Sequence, residues 1–193
     1  MAVSSNAAAD YLSRSASAPS GAATFAFWLN LESDNNAVGA IITAANSGGT
    51  IYYSVSIGSN GVLLRIITSA TSTNGSTLTV GTWYHIALTR NGTTKTVYLN
   101  GVQDMQNTGS ADPTVSQFFV LSDTAQFAPA RMQNLFVFDT DLTATQIQNL
   151  MWSTRPNHFG NLWGWYRLLD VADITDLSGN ARDLTANGTL TTG

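Results

Sequence analysis

The chain has 193 residues and no cysteine, which excludes disulfides, thiolate metal sites and thiol nucleophiles. Charged residues make up only 10% of the chain and the formal net charge is −4, so binding of nucleic acid through a basic surface is not expected. Glu32 is the one glutamate, which excludes a catalytic pair of glutamates. Hydrophobic residues (44%) are numerous enough to form a folded core.

No apolar run is long enough to span a bilayer, so the sequence predicts no transmembrane segment and no membrane partner. Residues 1–10 contain no basic segment followed by an apolar one, and we therefore expect no secretory signal there. Together these features leave a folded protein whose surface is covered mainly by hydroxyl and amide groups.

The first half of the chain contains short segments rich in β-branched and aromatic residues, which predict strands. These segments are residues 24–31, 38–45, 51–57 and 62–69. The intervening sequences Asn46–Gly49 and Asn60–Gly61 are typical of hairpin loops.

The centre of the chain predicts a three-stranded antiparallel meander. Residues 83–90 place Tyr84, Ile86 and Leu88 on one face of a strand. Asn91-Gly92 then favours a type I′ turn, residues 93–100 return as a second strand, and Asn100-Gly101 offers the turn into a third.

The last third predicts further strands and one helix. Thr143 and Gln146 have the spacing of a capping box, and the apolar residues that follow repeat with helical spacing. We therefore expect one short α-helix near residues 143–153. The other predicted segments are strands at 118–121, 135–138 and 162–169, a loop at 176–180, and a segment at 183–189.

This series of short strands predicts an all-β fold, a two-sheet antiparallel β-sandwich with one short helix. No linker and no internal repeat divides the chain, so residues 1–193 are expected to form a single domain. The pattern leaves the strand pairings beyond the central meander open.

Three segments resemble the laminin-G-like, pentraxin-like branch of the concanavalin A-like lectin/glucanase superfamily, of the kind found in phage structural proteins. They are Phe25–Trp28, then residues 81–90 with Val97–Gly101, and then residues 134–139 leading into 142–147. They occur in a consistent order over roughly residues 10–155. The resemblance implies a concanavalin A-like jelly roll.

One element departs from the order typical of this family. Residues 163–169 with 176–180 resemble a segment that opens many such domains, whereas here it closes the chain. Two arrangements are open for residues 160–193. This strand–loop–strand element either pairs into its own sandwich or docks on a neighbouring subunit.

The sequence argues against an enzyme. Glucanases of the resembled superfamily carry two glutamates near an aspartate, whereas here Glu32 stands alone. Asp139 and Asp141 follow a strand and precede the helix, where turn carboxylates are common. A serine nucleophile would need His85 or His158, and the mid-strand position of His85 favours a structural role.

The loop after residue 175 is a candidate calcium site, because Asp176, Asn180 and Asp183, with Ser178, place hard oxygen ligands around a glycine. The resemblance implies that such loops can hold calcium. The alternative is a turn in which Asp176 accepts hydrogen bonds from backbone amides. No other cofactor is expected to be required.

Trp163 and Trp165 are two apart in a predicted strand and are expected to share one face. Two aromatic rings on a flat face are a candidate carbohydrate-binding site, as the lectin resemblance implies. Packing in the core is the more frequent role of such large rings.

The leading functional hypothesis is a non-catalytic structural protein on the exterior of a virus particle: a phage capsid decoration, fibre or tail component that also adheres to glycans. Its partners would be other virion proteins, copies of itself, or cell-surface glycans, and its location the virion surface. The alternative is a free, extracellular carbohydrate-binding lectin-like module. A glycoside hydrolase is the weakest of the three.

Overall fold

The computed structural model describes residues 1–5, 7, 9–15, 17–34, 38–58, 60, 62–68, 71–109, 115–123, 125–153, 155–156 and 160–193. Two antiparallel sheets stack face to face, and one short helix packs on the outer face of the first sheet. The predicted all-β sandwich with a single short helix is confirmed. Within the described residues, no helix is long and apolar enough to cross a bilayer.

The strands and the helix are short, as expected for a sandwich of this size. In chain order they are β1 (Val3–Ser4), β2 (Tyr11–Arg14), β3 (Ala23–Leu31), β4 (Gly39–Ala45), β5 (Ile51–Ile57), β6 (Leu63–Thr68), β7 (Ser72–Thr77), β8 (Trp83–Asn91), β9 (Thr94–Leu99), β10 (Val102–Thr108), β11 (Gln117–Val120), β12 (Ala130–Phe138), α1 (Ala144–Met151), β13 (Leu162–Tyr166), β14 (Thr185–Asn187) and β15 (Thr191–Thr192).

The first sheet has the strand order β10-β9-β8-β3-β12-β1-β15, and β13 pairs with β12 on the same side as β1. The second sheet has the order β14-β2-β11-β4-β5-β6-β7. Strand β12 has three neighbours, because it pairs with β3 along one edge and with both β1 and β13 along the other.

The C-terminal segment pairs within its own chain. β13 pairs with β12, β14 with β2, and β15 with β1. Ala2 and Gly193 exchange two backbone hydrogen bonds, each 3.0 Å long. The element that opens many related domains therefore occupies a place in this chain's own sandwich, although it comes last in the sequence.

The meander β8-β9-β10 is present, and its two turns differ. Asn100 and Gly101 both have positive φ angles, 51° and 79°, as a type I′ turn requires. The type I′ turn predicted at Asn91-Gly92 is wrong. Asn91 pairs with Thr94, so the turn residues are Gly92 and Thr93, and only Gly92 has a positive φ.

The helix begins as the sequence predicts. Thr143 is the N-cap residue, its hydroxyl accepts a hydrogen bond from the Gln146 amide, and the Gln146 side chain accepts one from the Thr143 amide. Ile147 and Leu150 are the buried residues of α1. The predicted strand at 162–169 is shorter than expected and ends at Tyr166.

The main core lies between the two sheets. Phe25 of the first sheet meets Phe118 of the second in an edge-to-face contact with ring centroids 5.4 Å apart. The outer face of the first sheet has its own smaller cluster, in which Ile147 and Leu150 pack against Ala26, Ala87 and Phe136. Small residues thus lie beneath α1, and at this place both faces of the first sheet are buried.

His85 lies on this outer face with none of its surface exposed. Its ring contacts the cross-strand Trp28 edge to face at 5.5 Å, and neither ring nitrogen has a hydrogen-bond partner among the described residues. Burial lowers the pKa of His85 from 6.5 to about 4. The ring is therefore neutral at pH 7, and its surroundings give no sign of a catalytic base.

This burial predicts a pH-dependent stability. Between pH 4 and 6.5 the unfolded chain binds a proton at His85 and the folded chain does not. The free energy of unfolding should therefore fall as the pH is lowered through this window, by about 3 kcal/mol in total. Urea unfolding followed by tryptophan fluorescence at pH 7.5, 6.5, 5.5 and 4.5 measures it.

His85→Phe is the matched variant, because it keeps an aromatic ring and removes the titrating group. It should lose most of the pH dependence in that window. If the free energy of unfolding changes equally with pH in the wild-type protein and in His85→Phe, the assignment of this pH dependence to His85 is wrong. His158 itself, like Gly61 and Ser69 of the predicted elements, lies outside the described residues.

Candidate functional site

Trp163 and Trp165 do not share a face. A β-bulge interrupts the pairing of β13 with β12: Gly164 pairs with Val137 and Leu162 with Phe138, so Trp163 is an extra residue without an opposite partner. The alternation of side chains is therefore broken at this point. Trp163 joins the core between the sheets, and Trp165 joins the outer cluster beneath α1.

Both tryptophan rings are buried, with 6% of Trp163 and 9% of Trp165 exposed. Trp163 contacts Phe118 of the second sheet, and the Arg182 guanidinium lies 4.3 Å from its ring centroid. Trp165 packs against Phe136. Neither ring presents a face on which a sugar could stack.

The Asp176 loop is organised around one buried carboxylate. Asp176 Oδ1 accepts hydrogen bonds from the amides of Trp165 (3.0 Å) and Ser178 (2.9 Å). Asp176 Oδ2 accepts from the Ser178 hydroxyl (2.8 Å) and the Arg182 amide (3.0 Å). Burial and then the charge of Asp176 raise the pKa of Tyr166, whose hydroxyl donates to the Arg182 carbonyl at 2.7 Å.

The other two candidate calcium ligands are also engaged in the fold. Asp183 Oδ1 accepts from the Asp176 amide at 2.8 Å. Asn180 donates through Nδ2 to the carbonyls of Leu162 and Trp163, which ties the loop to β13. Asp176 already accepts four hydrogen bonds, so these residues do not fit a calcium ion as arranged. Over the described ranges, no three acidic or histidine side chains gather closely enough to hold a metal.

Glu32 and Asp141 each have a hydrogen-bond partner within the fold. Glu32 Oε1 accepts from Arg131 Nε at 2.7 Å, and Glu32 Oε2 accepts from the Ser4 hydroxyl. Asp141 Oδ2 accepts from Asn91 Nδ2 at 2.7 Å. Asp139 is exposed just after β12. Glu32 thus ties the end of β3 to β1 and β12.

A polar cleft of about 480 Å³ lies on the outer face of the first sheet beside the start of α1. The described residues that line it carry mainly hydroxyl and amide groups. They are Thr89, Asn91, Thr94, Thr96, Tyr98, Gln106, Asp141, Leu142 and Thr143. The floor of the cleft is formed by β8, β9 and β10, and one wall by the segment that connects β12 to α1.

Strand geometry explains why the floor is polar. Alternate residues of β9 face outward, which places Thr94, Thr96 and Tyr98 in one row. Thr96 pairs with Thr89 of β8 and with Gln106 of β10, and Gln106 Nε2 donates to Thr96 Oγ1 at 3.2 Å. The row therefore continues across three strands as a sequence of hydrogen-bonding groups.

The wall of the cleft is fixed by Thr24. Its hydroxyl donates to the Thr140 carbonyl at 2.8 Å and accepts from the Leu142 amide at 2.9 Å. These bonds hold Asp141 between them, and the contact with Asn91 orients its carboxylate. Asp141 is the only charged side chain among the described lining residues.

Tyr98 keeps its proton in this environment. Burial, and then the negative charge of Asp141, raise the pKa of Tyr98 above its ordinary value of 10.0. Its hydroxyl is therefore a donor at any physiological pH, in the same cleft as the carboxylate of Asp141. Threonine hydroxyls and amides add groups that both donate and accept, which is what recognition of a polyhydroxylated ligand requires.

Sequence analysis missed this cleft. The signal was present in the alternation Thr94-x-Thr96-x-Tyr98, which gives β9 a polar face opposite the apolar face containing Val97. The sequence does not show that Asp141 lines the cleft, because the segment before α1 and strand β8 come into contact only in the folded chain. The sequence predicted Asp141 as a turn carboxylate without its contact to Asn91.

Residues 5–148 match a laminin-G-type family model of the concanavalin A-like lectin/glucanases superfamily. The chain belongs to this family, as the sequence motifs predicted. A search of curated protein sequences finds no match to it.

Solved structures show the same fold at low sequence identity. A Bacteroides ovatus protein to which carbohydrate binding has been attributed has a TM-score of 0.74 at 18% identity, and the match covers 99% of this chain and 59% of that one. A heptameric SAP-like pentraxin from Limulus polyphemus has a TM-score of 0.63 at 15% identity, and the match covers 95% of this chain and 88% of the pentraxin chain. Trypanosoma rangeli sialidase has a TM-score of 0.60 at 17% identity, and the match covers 69% of this chain and 23% of the sialidase chain. The chain thus spans little more than half of the first protein and about a quarter of the sialidase.

The Asp176 network predicts a stability that depends on the carboxylate and not on calcium. Asp176→Ala leaves the amides of Trp165, Ser178 and Arg182 without their acceptor, and should reduce the free energy of unfolding by about 2–4 kcal/mol. Asp34→Ala, at an exposed position, should change it little. Urea unfolding of both variants measures the effect.

The same experiment tests calcium directly. Unfolding of the wild-type protein in millimolar calcium chloride should match unfolding in EDTA, because Asp176 is already saturated with hydrogen bonds. A marked stabilisation by calcium that Asp183→Asn abolishes would show instead that the loop rearranges to bind the ion.

Proposed function

We propose that this chain is a non-catalytic carbohydrate-binding module whose ligand occupies the cleft beside the start of α1. The observation that carries the proposal is the lining of that cleft. Its described residues supply hydroxyl, amide and carboxylate groups, with Tyr98 at the floor. A sugar ring combines vicinal hydroxyls with apolar C–H faces, so it matches a polar surface that includes one aromatic side chain.

Asp141 is the group expected to contribute most to binding. A carboxylate accepts hydrogen bonds from two neighbouring hydroxyls at once, and bonds to a charged acceptor are stronger than neutral ones. Asn91 and Thr24 hold the carboxylate and its backbone in place without a ligand. Little ordering of the protein would therefore accompany binding.

The arrangement of carboxylates supports binding without hydrolysis. Glycoside hydrolases use two carboxyl groups on either side of the scissile bond. In the described lining of the cleft Asp141 stands alone, and Glu32 is paired with Arg131 at another place in the sheet. The lectin-like family and the carbohydrate binding attributed to the Bacteroides ovatus protein are consistent with this proposal.

Glycan-array screening followed by calorimetric titration of the best ligand tests the proposal. Asp141→Asn and Gln106→Ala should each weaken binding about tenfold, because each removes hydrogen bonds to the ligand. Gln103→Ala is the matched control: Gln103 is also an exposed amide on β10 but does not line the cleft. Equal binding by all three variants would place the ligand elsewhere.

A reducing-sugar assay on the same ligands tests the absence of catalysis. The signal should stay at the level of the buffer. Release of reducing sugar that Glu32→Gln abolishes would overturn the non-enzymatic proposal.

As a second proposal, we retain the structural role on the exterior of a virus particle that the sequence predicts. The feature that favours an assembled form is the exposure of two large apolar side chains, Trp152 at 77% and Val102 at 67%. Val102 follows Gly101, whose carbonyl accepts from Gln148 of α1 at 3.1 Å, and Trp152 is the C-cap residue of the same helix. Self-association would remove them from water.

Light scattering coupled to size-exclusion chromatography measures this directly. The assembled form predicts a symmetric oligomer, and Trp152→Ser should shift the mass toward that of a monomer without affecting thermal stability. A monomer at high protein concentration would count against the structural role and leave the carbohydrate-binding proposal unaffected.

A further inference from the structure

A second cleft, of about 460 Å³, lies on the outer face of the other sheet. It is formed where β5 ends, along β6, and along the edge strand β7. The described residues that line it are Gly58, Asn60, Leu63, Arg65, Ser72 and Asn74. This cleft belongs to a different sheet from the cleft beside α1, and it shares no lining residue with it.

Arg65 projects outward because of the alternation in β6. Leu64 and Ile66 are fully buried in the main core, which places Arg65 between them on the opposite face. Its cross-strand neighbours are Ser56 of β5 and Asn74 of β7, both polar. The guanidinium thus lies on a surface of small polar residues rather than beside an acidic one.

Among the described residues, no carboxylate is paired with Arg65. Among the described residues its guanidinium makes one hydrogen bond, from Nη2 to Ser72 Oγ at 2.9 Å, and its Nε is buried without a partner. No carboxylate occurs among the described lining residues. The ion pairs found in the described part of the chain involve other arginines, Arg131 with Glu32 and Arg167 with Asp173.

Gly58 fixes the course of the Arg65 side chain. A Cβ atom at residue 58 would lie 2.8 Å from Arg65 Cδ and 3.4 Å from the Leu63 carbonyl oxygen. The aliphatic part of Arg65 therefore packs where a side chain at residue 58 would be. Asn60 shapes the rim of the cleft, since its Oδ1 accepts from the Leu63 amide at 2.8 Å.

We propose that this cleft binds the carboxylate of an acidic sugar, such as a uronic acid, with Arg65 as the anion-binding residue. Arginine is suited to a planar carboxylate because its N–H groups can donate two parallel hydrogen bonds. The cleft is larger than a carboxylate, and Ser72, Asn60 and Asn74 offer partners for ring hydroxyls while Leu63 offers an apolar contact. The inference goes beyond the proposed function and does not depend on the cleft beside α1.

Titration of the ¹⁵N-labelled protein with D-glucuronate, and separately with D-glucose, tests the proposal by NMR. Glucuronate should shift the amide resonances of residues 58, 60, 65, 72 and 74, and glucose should leave them unchanged. Arg65→Gln should weaken glucuronate binding at least tenfold, because it removes the charge. Arg65→Lys keeps the charge and loses the paired donors. Its affinity for glucuronate should therefore lie between those of the wild-type protein and Arg65→Gln.

Arg155→Gln is the matched control, since Arg155 is an exposed arginine remote in sequence from this cleft. Thermal unfolding of each variant verifies that it is folded. Gly58→Ala is an independent variant that leaves the charge in place and displaces the Arg65 side chain, and it should also weaken glucuronate binding. Binding should weaken further as the salt concentration rises.

Three results would overturn the proposal. The first is equal binding of glucuronate and glucose, and the second is an unchanged affinity of Arg65→Gln for glucuronate. The third is acetate binding as tightly as glucuronate at the same residues, which would show anion binding without recognition of a sugar. Because Asp141→Asn affects only the cleft beside α1, failure of that site and failure of this one are measured separately.

Discussion

The burial of both faces of the first sheet beneath α1 is the constraint on which the rest of the structure depends. Its inner face meets the second sheet through aromatic contacts such as Phe25 with Phe118, and its outer face is covered by α1 over Ala26 and Ala87. An amphipathic helix on an otherwise exposed sheet removes additional apolar area from water, at about 25 cal/mol per Å². It also creates a step between helix and sheet, and the polar cleft with Asp141 lies at that step.

Much of the fold could be predicted from the sequence because its signals are local. The alternation in residues 83–90, the Asn100-Gly101 turn and the Thr143 capping box each specify their geometry within a few residues. The edge strands β7 and β15 were not predicted, because their serine- and threonine-rich sequences have no apolar alternation. The short strands β1 and β2 were not predicted either. These segments are strands because a neighbouring strand offers them backbone partners.

The sites were harder to predict because they depend on contacts between distant residues. The pattern Trp163-Gly164-Trp165 predicts one shared face, and a bulge set by pairing with β12 separates the two rings. Asp176 and Asn180 have ligand-type side chains, yet backbone amides and carbonyls across the loop use them as hydrogen-bond partners. Asp141 and Arg65 became candidate binding residues only because of their surroundings in the folded chain. The side-chain amide of Asn91 in β8 orients Asp141, and the described residues that line the cleft around Arg65 include no carboxylate.

The pairing of β1 with β15 has a topological consequence. Ala2 and Gly193 are joined by two backbone hydrogen bonds, so residues 2 and 193 lie side by side at one edge of the first sheet. A few residues would suffice to connect them covalently, and the chain could then be opened at a surface hairpin without altering any strand neighbour. That geometry makes the order of segments along the polypeptide nearly independent of their order in space.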